Sequence, residues 1–141
     1  MTNSKINSFS GEFSFLSNFY ECLITLDGKE YSSTEHAFQA AKTLLEKERS
    51  KIRKADTPGK AKRLGKLVKL RKDWESVKVG VMRELVLQKF TRHQDLREKL
   101  LATGDAELIE GNTWGDRYWG TVDGQGKNWL GKILMEVRKQ L

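Results

Sequence analysis

Hydrophobic and polar positions change period along this chain, and the change at about residue 33 separates a short strand-rich front from a helical remainder. Residues 9–31 read as strands: Phe13, Phe15 and Leu16-Ser17-Asn18-Phe19-Tyr20 are aromatic-rich, and runs at 22–26 and 29–31 flank Asp27-Gly28. That dipeptide is a strong hairpin signal, because a two-residue turn needs positive φ. From residue 33 the period is helical. Ala37, Phe38, Ala40, Ala41, Leu44 and Leu45 fall on one broad arc, while Glu35, Gln39, Lys42 and Glu46 share a narrow stripe opposite. The first helix is expected over residues 33–54, with Ser50 as the place where it would break. Thr57-Pro58 suits the cap and first turn of a second helix, whose buried stripe is Ala61, Leu64, Gly65 and Val68. Glycine inside a helix costs up to about 1 kcal/mol relative to alanine, so Gly65 marks close packing.

Asp73 begins a third helix with an apolar face of Trp74, Val77, Val81, Met82, Leu85, Val86 and Phe90. A fourth, carrying Leu96, Leu100 and Leu101, stops at Gly104. Residues 106–110 read as a strand or a further helical turn. A glycine-rich loop over 111–127 follows, and a last helix begins at Asn128, burying Leu130, Ile133, Leu134 and Val137. There is no internal repeat, low-complexity tract or linker. The expected fold class is α+β: a mainly helical single domain over residues 1–141 with a small antiparallel β unit near the N-terminus.

Composition narrows the class of protein. With 38% hydrophobic and 32% charged residues and one proline, the chain is globular rather than disordered. Its apolar runs are far shorter than the roughly 18 residues of a membrane span. Residues 1–7 lack an apolar core of signal-peptide length, and the lone Cys22 cannot form an internal disulfide, so a cytoplasmic location is the default. Cys22, in an apolar run, reads as a buried, inert thiol. Charge is segregated. Residues 47–72 hold twelve Lys or Arg against Glu48 and Asp56, which leaves the remainder acidic within a net charge of +7. This segment is either a solvated basic helix pair or a face for phosphate groups, DNA or RNA.

Candidate chemistry lies in two stretches. Ser32 with Glu35 fits a capping box, and the stripe behind it is either a solvated face or the wall of a site held by the close-packed alanines. The loop from Glu110 to Gly131 holds three of the four tryptophans, and loops this long are usually functional or disordered. Gly124, Gly126 and Asn128 lead into a helix N-terminus that suits an anion or, more plainly, form a turn with an Asn cap. Tyr118 and Trp119 offer flat surfaces for a base or a sugar, or they are core. Asp116 has no evident capping or packing role. With Glu35 it supplies two carboxylates, the minimum for hydrolysing a glycosidic bond through an oxocarbenium-like transition state. His36 and His93 have no metal-ligand spacing, and no nucleotide-binding glycine motif is present, so no metal and no cofactor is expected.

Several motifs in order resemble one family. They are Phe15-Leu16-Ser17-Asn18-Phe19-Tyr20, Thr34-Glu35-His36-Ala37-Phe38-Gln39-Ala40-Ala41-Lys42, Leu70-Arg71-Lys72-Asp73-Trp74, Lys89-Phe90, Tyr118-Trp119-Gly120, and Lys127-Asn128-Trp129-Leu130-Gly131. Together they resemble the YbiA-like N-glycosidases, the NADAR family, over nearly the whole chain. The resemblance implies a metal-free hydrolase of an N-glycosidic bond to ribose. Its substrates would be ADP-ribosylated guanine of nucleic acid or the ribosylamino-pyrimidine phosphates of riboflavin synthesis, with a non-catalytic ADP-ribose or nucleic-acid binding module as the alternative. On that footing Glu35 is expected to do acid–base work, Asp116 to position water or ribose, and Lys42 to pair with phosphate or with Glu35, or to form a Schiff base. Asn18, Phe19, Gln39, Trp74, Tyr118, Trp119, Gly120, Gly126 and Asn128 are expected to contact substrate. Thr121-Val122-Asp123 departs from the glycine-richer family pattern, which bears on substrate choice.

Overall fold

The computed structural model describes residues 4–141. The expectation that no leader peptide is present rests partly on residues 1–3, which lie outside the described residues. Two compact units are found, Met1–Ser17 with Phe90–Leu141, and Asn18–Lys89. The mixed α and β class holds, about half helical with a small antiparallel sheet near the N-terminus.

In the Asn18–Lys89 unit, β2 (Glu21–Leu26) and β3 (Lys29–Ser33) form the antiparallel hairpin, with Leu26 opposite Lys29. Asp27 and Gly28 take φ of 48° and 82°, the two left-handed residues that such a turn demands. Helix α1 (Thr34–Ala41) follows directly, then α2 (Glu46–Arg53), α3 (Pro58–Gly65) and the start of α4 (Trp74–Arg92). The first helix is therefore not continuous to residue 54. It ends at Ala41 because the guanidinium of the buried Arg49 donates through Nε to the carbonyls of Ala40 (3.1 Å) and Thr43 (2.8 Å), and holds Asp27 at 2.6 Å. The Ala40 carbonyl also accepts from the Thr43 N–H at 3.2 Å, and a cation at this helix end suits the helix dipole. The turn is fixed further by Thr43, whose hydroxyl donates to Glu48 (2.6 Å) and accepts from the Leu45 N–H. In consequence Leu44 and Leu45 are exposed instead of buried.

Helix α3 begins as expected, with the Thr57 hydroxyl accepting from the Lys60 N–H and Pro58 in the first turn, but it stops at Gly65, short of Val68. The close packing expected at Gly65 is present: a Cβ there would overlap Gln39 Oε1 and sit 2.7 Å from Gln39 Cδ. Helix α4 buries Trp74, Met82, Leu85, Val86 and Phe90, as its pattern requires.

In the other unit, residues 11–16 form a 3-10 helix (Gly11–Leu16) rather than a strand. Strand β1 (Lys5–Ile6) pairs in parallel with β4 (Glu107–Leu108), which resolves the reading of residues 106–110 as a strand. Helix α5 (Gln94–Ala102) buries Leu96 and Leu100, and Gly104 beyond it takes φ 63°. Helix α6 (Trp129–Gln140) buries Leu130, Ile133, Leu134 and Val137. No helix among the described residues is long and apolar enough to cross a membrane.

Candidate functional site

All eight residues of α1 are buried, so the polar stripe on it is not a solvated face. Its cap is Ser33, whose hydroxyl accepts from the His36 N–H at 3.1 Å, and not Ser32. That one-residue shift frees Glu35 from capping, because the reciprocal position is now His36. His36 is in turn occupied by structure. Its Nδ1 lies 2.7 Å from Ser33 Oγ, and its Nε2 donates to the Ala55 carbonyl at 3.0 Å.

Glu35 is left as a carboxylate only 7% exposed, its Oε2 accepting from Gln39 Nε2 at 2.6 Å and its backbone N–H bound to the carbonyl of Asn18 at 3.0 Å. Gln39 is clamped from behind by Gly65 of α3, and its Oε1 is buried with no hydrogen-bond partner among the described residues. A buried amide set so tightly fixes the carboxylate it touches. Lys42, two turns along from Glu35, caps the end of α1. Burial pushes its pKa below the usual lysine value. Glu35 opposes that shift, and the ammonium groups of Lys62, Lys66 and Lys78 add to it. Asn18 is buried with its amide 3.4 Å from Met82 Sδ, and Phe19 is exposed with Lys62 Nζ 6.0 Å from its ring centroid. Asn18, Phe19, Glu35, Gln39 and Lys42 are thus brought together in one unit.

Trp74 is buried, with its ring 5.1 Å from that of Phe38. The sequence reading missed the lysine cluster as a group. Lys62 on α3 and Lys66 just past its end carried the signal, whereas Lys78 lies outside the basic segment.

The glycine loop is organised by its own backbone. Asn112 donates to the Asp116 carbonyl at 2.9 Å and accepts from the Asp116 N–H at 3.0 Å. Asp116 Oδ1 accepts from the N–H groups of Tyr118 (3.0 Å) and Trp119 (2.9 Å), so this carboxylate has the turn-forming role that the sequence did not reveal. The two rings it aligns are half-buried and meet edge to face at 4.9 Å. Lys127 Nζ lies 5.5 Å from the Tyr118 centroid.

The helix start does not offer an open anion nest. The N–H groups of Lys127, Asn128, Trp129 and Leu130 are already taken by the carbonyls of Arg117, Gly120, Tyr118 and Trp119. Asn128 lies in the left-handed region and makes no side-chain cap. Its amide instead holds the β4 segment, accepting from the Glu110 N–H (2.9 Å) and donating to the Leu108 carbonyl (3.0 Å). Gly120 and Gly126 are required by backbone crossings, since a Cβ would overlap the Glu110 carbonyl at the first and the Gly120 carbonyl at the second. Gly126 and Asn128 do line a cavity of about 770 Å³, where Lys5, Lys127 and Lys132 are the cations available to an anion. Among the described residues no cluster of His, Cys, Asp and Glu has the makings of a metal site.

The chain is similar to known proteins over most of its length. The family model described as the NADAR domain matches residues 7–141. The N-glycosidase YbiA of Escherichia coli (strain K12) is 47% identical over 137 residues, which are 95% of this chain and 85% of that protein. A protein of Vibrio vulnificus (strain YJ016) named Riboflavin biosynthesis protein VVA0006 is 42% identical over 130 residues, 90% of this chain but 35% of that one. The NMR structure of the E. coli protein YbiA superposes with a TM-score of 0.87 at 46% identity, covering 99% of this chain and 86% of that one.

Proposed function

The chain belongs to the NADAR family, and from that premise we propose that it is an N-glycosidase cleaving the bond between ribose C1 and an exocyclic amine of a base. The observation that carries this is Glu35: an acid on a buried helix, relieved of capping, aligned by Gln39 at 2.6 Å and bordered by Lys42 and its lysine neighbours.

A ribosylamine opens when its nitrogen gains a proton as the C1–N bond breaks. Protonated Glu35 delivers that proton, the bonding pair leaves with the nitrogen, and positive charge spreads over C1 and the ring oxygen. The carboxylate left behind stabilises this charge. Water then adds at C1 and returns a proton to Glu35, giving a free amino base and a ribose hydroxyl. Acid–base assistance of this kind is worth about 10²–10⁴-fold. Lys42 is assigned to a substrate phosphate, and Asn18, Phe19 and Gln39 to orienting the ribosylated base. In the other unit, taken by itself, Tyr118 and Trp119 offer rings on which a base can stack, and Asp116 positions those two rings. Cations near the acid favour substrates that carry phosphate.

Two substrates have both the linkage and the charge. ADP-ribosylated guanine in DNA or RNA is favoured by the basic segment 47–72. A ribosylamino-pyrimidine phosphate is favoured by the relative named as a riboflavin biosynthesis protein. Incubation with each, followed by mass spectrometry, tests the proposal. Release of the free base with ADP-ribose or ribose phosphate is expected. Tight binding without release from either would make the chain a binding module.

A further inference from the structure

Four leucines of the Asn18–Lys89 unit face solvent on two neighbouring loops. Leu44 is 68% exposed and Leu67 79%, with Leu45 and Leu70 about half exposed. The loops are pinned together. The Arg71 N–H donates to the Lys42 carbonyl at 2.8 Å, and the Lys69 N–H donates to both oxygens of Glu48 (3.1 and 3.2 Å). Glu48 is itself held by the Thr43 hydroxyl, which keeps its carboxyl below the usual range. Exposed leucines on loops fixed to one another are not a by-product of slack chain, and exposed apolar side chains gathered in this way point to a contact.

Cations are interspersed with apolar residues over 66–72: Lys66, Leu67, Val68, Lys69, Leu70, Arg71, Lys72. Arg71 is spent on Asp73 at 2.6 Å, whereas Lys66, Lys69 and Lys72 form no ion pair among the described residues. The patch begins at Lys42, the end of the helix that carries Glu35. A membrane-surface element would gather its apolar residues on one broad face with the cations on the other. Here exposed leucines stand among ammonium groups on the same loop, a mixture that complements both the bases and the phosphates of a nucleic-acid strand. Apolar side chains of architectural proteins enter the base stack in this way, and enzymes acting on a base must take it out of that stack.

We propose that Leu67 and Leu70, with Leu44 beside them, form a wedge that enters the base stack next to the modified base while Lys66, Lys69 and Lys72 hold the flanking phosphates. This rests on the reading of the Glu35 site as acting on nucleic acid, and it names the surface that admits such a substrate.

The test uses the full chain, wild type and with Leu67→Ser and Leu70→Ser together. Both positions are too exposed for the fold to depend on them. The probes are an oligonucleotide with one ADP-ribosylated guanine next to 2-aminopurine, free ADP-ribosyl-guanosine, and anionic lipid vesicles. The wedge predicts a rise in 2-aminopurine fluorescence on binding wild type. In the variant it predicts loss of that rise and at least about tenfold weaker binding of the oligonucleotide, the loss expected when a buried leucine is removed. Turnover of the free nucleoside is unchanged. Replacing the three lysines by glutamine lowers the salt slope of oligonucleotide binding by about 2–3. Equal behaviour of wild type and variant on the oligonucleotide overturns the wedge, as does vesicle binding or self-association that replaces oligonucleotide binding. If wild type turns over neither ribosylated substrate, the glycosidase reading fails, while fluorescence and salt slope still decide the wedge.

Discussion

Gly65→Ala is the sharpest structural test of how Glu35 is held. The added methyl would overlap Gln39 Oε1 and lie 2.7 Å from Cδ and 3.0 Å from Cβ of the same side chain. Gln39 is 5% exposed and cannot swing into solvent, so either α3 retreats or the amide leaves Glu35. Overpacking of this kind costs about 1–3 kcal/mol. Losing the 2.6 Å bond to a charged partner adds about 1.5–3 kcal/mol, and alanine at a helix position returns up to about 1 kcal/mol. A net loss of about 3 kcal/mol is expected, a fall in Tm of about 10 °C for a chain of this size. Turnover should fall by more than stability explains, because the acid loses its aligned geometry. Urea unfolding and kcat on a ribosylamine substrate measure both. Combining Gly65→Ala with Gln39→Ala removes the overlap, so the double variant should be more stable than the sum of the singles predicts. A Gly65→Ala protein within about 0.5 kcal/mol of wild type, with unchanged kcat, would refute the clamp.

Other parts of the account can be tested separately. Asp116→Asn keeps an oxygen to accept from the Tyr118 and Trp119 N–H groups and should retain most activity, whereas Asp116→Ala should lose about 1–2 kcal/mol of stability and raise KM; a dead Asp116→Asn would make this carboxylate catalytic. Lys42→Ala should raise KM for phosphate-bearing substrates roughly tenfold with little change in kcat, and Lys42→Arg should restore part of it. Lys89 on α4 is 1% exposed, its Nζ 5.6 Å from the Tyr20 ring centroid, and burial lowers its pKa to about 8. Because the folded pKa is below the unfolded value, the charged form weakens the fold. That penalty is complete below about pH 8 and is relieved up to pH 10.5, which is worth about 3 kcal/mol at 1.36 kcal/mol per unit. Urea titrations across that window should show stability rising from this group in wild type, and the rise should be absent in Lys89→Met.

What the sequence made legible was local. Asp27-Gly28 announces its hairpin because the turn chemistry sits within two residues, and the stripes of α4 and α6 repeat over several turns. The end of α1 was hidden because it depends on Arg49 reaching back to Ala40 and Thr43 while gripping Asp27 on the hairpin. The pairing of β1 with β4 joins residues about a hundred positions apart, which no periodicity reports. The polar stripe of α1 looked solvent-facing because three-dimensional neighbours, not period, decide burial. Gly65 was read correctly as a close approach, although its partner, the substrate-orienting candidate Gln39, was visible only in the fold. The turn role of Asp116 went unassigned for a different reason: its partners lie only two and three residues ahead, but the carboxylate was read as site chemistry instead.

The central claim is that the Glu35 carboxyl group moves the proton. Glu35→Gln keeps the size of the side chain and an oxygen for Gln39, so folding and binding of ADP-ribosyl-guanosine and the ribosylamino-pyrimidine phosphate should persist. Single-turnover release of the free base should fall by about 10²–10⁴-fold. Release at the wild-type rate from a normally folded Glu35→Gln protein would contradict the account.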